Sequence, residues 1–231
     1  MNISKRVAFT LGILFLFHYI FGIFSSVPAL EKSDYLQKLS SIETQVLIAV
    51  FCQAAMAIGY VWMSVLFYPL LKRFNKTLAI GYFGFRIIGA AFLFAGIASL
   101  LLLLWLSQSY IVASTSDISY FTIISEILRR GRDILNHVAM ILPWSIGGII
   151  LYYGLSKVSL IPNWLSKWGI LGSAFTLIAT LLLMLNVIEL TQPIYFILNT
   201  PIALGDLVLG ILLIKKGLST KRKEMPDYDF S

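Results

Sequence analysis

The chain has 231 residues, of which 58% are hydrophobic and only 13% are charged, and its mean hydropathy is +0.86. A soluble globular domain has about 25% charged residues, so this chain has too few to coat a surface that faces water. The net charge of +7 does not point to nucleic acid, because the basic residues flank apolar segments. There they set membrane topology and attract anionic lipid headgroups. The composition therefore excludes a soluble domain and indicates a protein of the lipid bilayer.

The hydrophobic residues are concentrated in six blocks, and a helix that crosses a bilayer requires about 20 such residues. The sequence predicts an all-α, polytopic membrane protein with six transmembrane helices in one membrane domain, residues 1–218. A polar, charged tail follows at residues 219–231, and we expect it to be disordered. In chain order the predicted helices are Val7–Phe24, Val46–Leu71, Leu78–Leu106, Ile134–Tyr153, Trp168–Asn186 and Tyr195–Ile214.

The first block has some features of a signal peptide, because Lys5 and Arg6 precede it and Val27-Pro28-Ala29 follows it. Its apolar stretch is longer than the roughly 7–15 residues of a usual signal-peptide core. We therefore predict a first helix that is retained.

The lysines and arginines between the blocks predict the orientation of the helices. With the amino terminus inside, twelve of the 18 basic residues fall on the inner side, five fall on the outer side, and Arg86 lies within the membrane. An excess of basic residues marks the cytoplasmic side. Both termini, and with them the tail, are therefore predicted to be cytoplasmic.

Two longer segments, Ser25–Gln45 and Ser107–Asp133, are predicted on the outer side. In the second, four apolar residues recur at helical spacing opposite four polar ones, which predicts an amphipathic helix in the outer interface. The alternative is a helical extension of the fourth block. The apolar residues are Ile118, Phe121, Ile124 and Leu128, and the polar ones are Ser119, Thr122, Glu126 and Arg129.

Several familiar types of chemistry have no signal in this sequence. Cys52 is the only cysteine and lies in an apolar block, so a disulfide framework and a cysteine-based zinc site are excluded. There is no phosphate-binding loop, no HExxH motif and no glycine-rich dinucleotide turn. We therefore predict no cofactor, and the sequence favours a protein that is not an enzyme.

Ionisable residues inside a membrane are costly, so each one is a candidate functional residue. Arg86 and Asp206 each lie eight residues from the inner end of their blocks, which is about 12 Å deep at about 1.5 Å per residue. Because their depths match, the sequence predicts an ion pair between them in the polar core of the bundle. Such a pair could fix the register of two helices, or it could take part in gating or proton-coupled movement.

A second polar group is predicted in the outer half of the membrane. Asp133 and His137 are spaced i,i+4, so the carboxylate could orient the imidazole. His18 and His137 could together ligate a b-type haem or help to hold a metal, although hydrogen-bonded histidines of the core are the commoner case, and we predict no metal. The members of this outer polar cluster are His18, Gln53, Asp133, Asn136 and His137.

Two stripes of small and hydroxylated residues suit helix packing or, alternatively, the wall of a narrow wet pathway. One stripe contains Gln53, Ala57, Tyr60 and Ser64, and the other contains Gly169, Ser173, Thr176 and Thr180. Aromatic residues near the block ends are predicted to anchor the helices in the interface rather than to bind anything. These anchors include Trp105, Tyr110, Tyr152, Tyr153, Trp164 and Trp168.

Three stretches of the chain resemble a known family: LFYPLLKRFNKTLA at 66–79, GFR at 84–86 and LIPNWL at 160–165. From the first block to the sixth, the chain resembles a large family of bacterial multi-pass membrane proteins, catalogued as domain of unknown function 4386. The resemblance implies six helices and a bacterial cytoplasmic membrane, but no activity. Members often have an acidic residue shortly after the arginine of the third block. Here Gly89 stands at that position, so Asp206 would have to supply the partner of Arg86.

These features leave three functions open. The preferred one is passage or sensing of a small solute or ion through the polar interior around Arg86 and Asp206. The next is a non-catalytic bundle that binds a partner protein, or anionic lipid at its basic cytoplasmic face. The third is an intramembrane haem or metal redox protein that uses His18 and His137. The oligomeric state has no signal in the sequence.

Overall fold

A computed structural model describes residues 5–112 and 118–216 of the chain. Within these residues all regular structure is helical, as predicted, and six helices are long and apolar enough to cross a membrane. The protein is therefore a multi-pass membrane protein, and the predicted tail at 219–231 lies outside the described residues. The helices are α1 (Lys5–Phe24), α2 (Tyr35–Lys38), α3 (Glu43–Lys72), α4 (Lys76–Ile111), α5 (Ile118–Ile134), α6 (Ile141–Lys157), α7 (Asn163–Met184) and α8 (Pro193–Lys216).

The breaks between helices follow from local sequence. Helix α4 begins after Asn75, whose side-chain oxygen accepts a hydrogen bond of 2.9 Å from the backbone N–H of Leu78, a typical N-terminal cap. Asn186 has φ of 56° just beyond α7, in the left-handed region that asparagine tolerates. Pro193 begins α8, where its missing N–H costs no helical hydrogen bond. Inside the membrane, helices are favoured because they satisfy every backbone polar group internally.

The six long helices form a closed ring. Each packs mainly on its neighbours in the chain, in the order α1, α3, α4, α6, α7 and α8, and α8 packs back on α1. Some of this packing requires glycine. A Cβ on Gly172 of α7 would lie 2.7 Å from the backbone nitrogen of Ile202 in α8, so only glycine allows these two backbones to approach so closely. Because the ring is closed, the inner faces of all six helices surround a common interior.

The end of the bundle opposite the termini is covered by residues 28–42, which we call the cap. The cap contains α2 and two 3₁₀ turns, and its buried Leu30, Leu36 and Leu39 pack on apolar residues of α3 and α4. Ser107 of α4 fixes the cap by donating a hydrogen bond of 2.6 Å to the carbonyl of Leu36 and accepting one of 2.9 Å from the N–H of Ser40. The cap therefore closes one end of the ring with apolar packing and specific hydrogen bonds.

Helix α5 continues into α6 through a single π-helical turn at Leu135–Ala139, where the N–H of Met140 bonds to the carbonyl of Leu135 at 3.0 Å. Of the two alternatives for this segment, the structure has the extension of the fourth spanning helix. A π turn adds one residue to the helical repeat, so side chains before and after it do not keep α-helical spacing.

The apolar face of α5 differs in part from the predicted one. Phe121 and Leu128 pack on the cluster around the cap, as their spacing suggests, but Ile124 is exposed. Ile123 and Ile127, with 60% and 65% of their surface exposed, lie on the uncovered side. Ser125 lies on the inward face of α5 and is buried. Its hydroxyl accepts a hydrogen bond of 2.9 Å from Tyr35 in the cap, and this bond allows a polar residue to be buried there.

Candidate intramembrane binding site

A cavity of about 240 Å³ lies inside the ring, and all six long helices contribute to its wall. Its polar residues lie ten to seventeen positions from the helix ends on the side where α1 begins and α8 ends. At about 1.5 Å per residue this is a depth of roughly 15–25 Å, around the middle of a hydrocarbon core about 30 Å thick. The lining residues are Phe15, His18, Tyr19, Tyr60, Met63, Arg86, Met140, Ile141, Trp144, Thr176, Asn199, Ile202, Ala203 and Asp206.

Arg86 enters this cavity from α4 with only 6% of its surface exposed. Its guanidinium carbon lies 4.8 Å from the centroid of the Trp144 ring, 5.2 Å from that of Tyr82 and 6.0 Å from that of Tyr60. Each such cation–π contact contributes about 0.5–2 kcal/mol, with the larger values at desolvated positions. Aromatic rings from three helices therefore stabilise the buried charge of Arg86. Its Nε atom has no hydrogen-bond partner.

Asp206 enters the same cavity from α8, but it does not form the predicted ion pair. No nitrogen of Arg86 lies within 4.0 Å of its carboxylate oxygens. Instead, the hydroxyl of Tyr152 donates a hydrogen bond of 2.6 Å to Oδ1 of Asp206. Tyr152 reaches Asp206 past α7 because Gly169 leaves room for its ring, which a Cβ at that position would overlap. The two opposite charges thus share a cavity without direct contact.

His18 is held by backbone groups rather than presented to a ligand. Its Nδ1 lies 2.6 Å from the carbonyl oxygen of Leu14, and its Nε2 lies 3.0 Å from that of Met56. Carbonyl oxygens only accept hydrogen bonds, so in the neutral ring one nitrogen donates to a carbonyl, and the other faces a carbonyl oxygen rather than open space for a metal. The ring also stacks on Tyr60, with centroids 4.1 Å apart. In the described part of the chain, no three His, Cys, Asp or Glu side chains come together as a metal site.

The remaining members of the outer polar cluster do not join His18, and the buried Gln53 Oε1 and Asn136 Oδ1 have no hydrogen-bond partner among the described residues. Gln53 donates a hydrogen bond of 3.0 Å to the carbonyl of Ser25, and the Asn136 amide packs against Gly96. His137 lies 3.1 Å from the hydroxyl of Tyr195 and does not line the cavity.

Asp133 does not orient His137, although the two are spaced i,i+4. Its carboxylate pairs with Arg132 at 3.0 Å and with Arg129 at 3.8 Å. His137 lies within the π turn Leu135–Ala139, which begins two residues after Asp133, and this turn removes the one-turn stacking on which that expectation depends.

The cavity wall also contains polar groups that have no hydrogen-bond partner among the described residues. Thr176 is 1% exposed, and its hydroxyl has no hydrogen-bond partner. The same is true of the Trp144 ring N–H and of Arg86 Nε. Buried donors without acceptors are rare in proteins and require explanation by water, an ion or a ligand. Three residues that line the cavity therefore carry an unpartnered donor atom, and each of these atoms has almost no accessible surface of its own.

Sequence reasoning missed several residues of this site, among them Tyr19, Trp144, Tyr152 and Asn199. Tyr152 was predicted to be an interfacial anchor, but it is buried and contacts Asp206. Trp144 gave no signal at all, because one tryptophan in an apolar block resembles any other. Tyr60 and Thr176 were identifiable only as members of stripes that suit packing equally well.

Comparisons with known proteins identify a family and no characterised relative. No curated protein and no solved structure matches the chain. The model of one family, described as Domain of unknown function (DUF4386), matches residues 10–217, which is most of the chain. The protein therefore belongs to the DUF4386 family.

Proposed function

We propose that this domain binds a small polar solute in its central cavity, as the recognition step of passage across the membrane or of sensing at it. The observation that carries this proposal is Arg86, a buried cation that shares the cavity with Asp206 and has no carboxylate of the described residues within 4.0 Å. A charge without an ion-pair partner within a membrane is expensive. A sequence that needed only stability would fill this position with an apolar residue.

The size of the cavity supports a small solute. At about 240 Å³ it falls below the range of about 300–1,000 Å³ that is common for sites of drug-sized ligands. Two of the surrounding helices have a proline beside a lining residue, with Pro143 next to Trp144 in α6 and Pro201 next to Ile202 in α8. Helices bend most readily at prolines, so we expect the cavity to open by bending at these positions.

The same proposal places the protein in the cytoplasmic membrane of a bacterium, with both termini in the cytoplasm. The support is the excess of lysine and arginine at the end of the bundle that carries the termini. In this orientation the cap faces outward.

Accessibility to water tests the proposal. In a Cys52→Ser background, we introduce Thr176→Cys on the cavity wall and, separately, Ile178→Cys on the exposed outer side of the same helix. In lipid nanodiscs, a small charged methanethiosulfonate reagent is expected to label the first cysteine and not the second, because the reagent reacts with thiols that water reaches. Absence of labelling at Thr176→Cys would mean a dry interior and would end the proposal.

Anionic lipid binding is a second candidate function, supported by a separate cavity of about 570 Å³ at the end with the termini. Lys5, Arg6 and Lys215 contribute to its wall beside apolar residues of α1 and α8, a combination that suits a phosphate headgroup and an acyl chain. Thermal stability in nanodiscs is expected to be higher with phosphatidylglycerol than with phosphatidylcholine, and the difference should shrink in Lys5→Gln/Lys215→Gln. Equal stability in the two lipids would contradict this function.

A further inference from the structure

We infer that the solute is a small zwitterion of the size of an amino acid, with its carboxylate directed to Arg86 and its ammonium group directed to Asp206. This inference rests on the proposed function and adds the chemical class of the ligand. It follows from the charges, the unpartnered groups and the apolar part of the cavity wall.

The two charges of the cavity are opposite, separate and each incompletely satisfied. Arg86 has no hydrogen-bond acceptor at Nε, and the bond from Tyr152 engages Asp206 at Oδ1, which leaves Oδ2 for a donor. A free anion attracted to Arg86 would also face the carboxylate of Asp206. A free cation attracted to Asp206 would face Arg86. A zwitterion satisfies both residues and adds no net charge to a site of low dielectric constant.

The groups around Arg86 strengthen the assignment of the carboxylate to that side. The Trp144 ring lies 4.8 Å from the guanidinium carbon, and its N–H has no acceptor. A carboxylate has two oxygens that accept several hydrogen bonds, so it can bind the guanidinium and still accept from a neighbouring donor. Thr176 of α7, which lines the same cavity and has a buried, unpartnered hydroxyl, is a further donor.

The rest of the wall is apolar, which indicates the third part of the solute. Phe15, Met63, Ile141 and Ile202 contribute hydrocarbon surface to the cavity. Such surface favours an aliphatic or aromatic side chain over a polar one. The volume of about 240 Å³ limits that side chain to a modest size. An amino acid with an apolar side chain combines these three features.

The test compares matched ligands on the full-length protein in nanodiscs. Radiolabelled glycine, alanine, valine, leucine and phenylalanine supply zwitterions with graded side chains. Isocaproate is leucine without its ammonium group, and isoamylamine is leucine without its carboxylate. We expect at least one of the larger zwitterions to bind, and leucine to bind about tenfold or more tightly than either matched ion. The inference is overturned if no zwitterion binds, or if one of the matched ions binds as tightly as leucine.

Variants of the two charged residues give a reciprocal test. Arg86→Met is expected to lose leucine and to prefer isoamylamine, whereas Asp206→Asn is expected to prefer isocaproate. The matched control is Arg130→Met, which removes an exposed cation of α5 that does not line the cavity. It should leave the order of affinities for leucine, isocaproate and isoamylamine unchanged. The inference would be contradicted if Arg86→Met and Asp206→Asn each lowered the affinities for leucine, isocaproate and isoamylamine by the same factor.

A third measurement avoids these substitutions, in case one of them prevents folding. With Arg86 and Asp206 intact, saturating leucine is expected to slow the labelling of Thr176→Cys about threefold or more. Isocaproate and isoamylamine are expected to leave the labelling rate unchanged. Labelling that no zwitterion slows would overturn the inference while the proposed function stands. No labelling at all would remove the proposed function itself.

Discussion

The hydroxyl of Tyr152 in α6 and the carboxylate of Asp206 in α8 are joined by a hydrogen bond of 2.6 Å that passes the intervening helix α7. The bond gives the intramembrane aspartate a neutral donor in place of the arginine that its depth suggested. It also leaves Arg86 to the aromatic rings that surround it. The polar core therefore consists of two separate groups in one cavity. Arg86 lies among its aromatic rings, and Asp206 is bound by Tyr152.

Removal of this bond is expected to destabilise the protein. Tyr152→Phe leaves Asp206 without its donor, and a hydrogen bond to a charged group contributes about 1.5–3 kcal/mol. Thermal unfolding in detergent should show a clear decrease in midpoint. Tyr153→Phe is the matched control, because the neighbouring tyrosine is exposed, and it should change stability by less than about 0.5 kcal/mol. Equal effects of the two variants would show that the bond to Asp206 is not what stabilises this region.

Gly169 is expected to be required for the stability of the bundle, because it makes room for the Tyr152 ring. A Cβ there overlaps the ring, and overpacking of a core typically costs about 1–3 kcal/mol. Gly169→Ala should therefore lower the unfolding temperature. Gly84→Ala provides the opposite control, because nothing lies within 4 Å of its added Cβ and alanine favours a helix by up to about 1 kcal/mol. A neutral Gly169→Ala would mean that Tyr152 moves aside at little cost.

Ser107 is expected to hold the cap on the bundle. Ser107→Ala removes two hydrogen bonds, to Leu36 and from Ser40, each contributing about 1 kcal/mol. Amide hydrogen exchange in residues 28–42 should become faster while the exchange of α7 stays the same. Ser109→Ala is the control, since its hydroxyl bonds only within its own helix, to Trp105. Unchanged exchange in the cap would show that its apolar contacts alone secure it.

The charged half of α5, which lies outside the predicted apolar span, is expected to respond to acid. Hydrogen bonds from Arg129 and then Arg130 lower the pKa of Glu126 from 4.5 to about 2. A carboxylate with a lowered pKa contributes stability above its unfolded pKa, and that contribution is lost as the pH falls through its folded value. Because the pair is partly exposed, it is worth at most about 1 kcal/mol.

Hydrogen exchange along α5 measures this response. Exchange, corrected for its intrinsic pH dependence, should accelerate in the wild-type protein between about pH 4.5 and 2. Glu126→Gln should already exchange fast at neutral pH and change less over this range. Glu43→Gln, at the start of α3, serves as the control. An acid response that persists in Glu126→Gln would assign the effect to another group.

The amino-acid sequence by itself determined that the chain has six segments long and apolar enough to cross a membrane as helices. The length and apolarity of a block are local properties, and in hydrocarbon every such block must become a helix to satisfy its backbone. The sequence also identified Arg86 and Asp206 as the costly residues of the interior, because a charge in an apolar block is visible without any structure. The resemblance to the family to which the chain belongs also came from the sequence, through the motifs in and between these blocks.

The tertiary structure alone decided which of these residues meet. Helical periodicity gives the face on which a residue lies, but not the rotation or vertical position of the neighbouring helix. For that reason equal depth did not make Arg86 and Asp206 contact partners, and two histidines in the same half of the membrane did not converge. The π turn at Leu135–Ala139 changed the register after Asp133. The closed ring, in turn, brought Trp144 to Arg86 and Tyr152 to Asp206, because packing between distant segments sets both contacts.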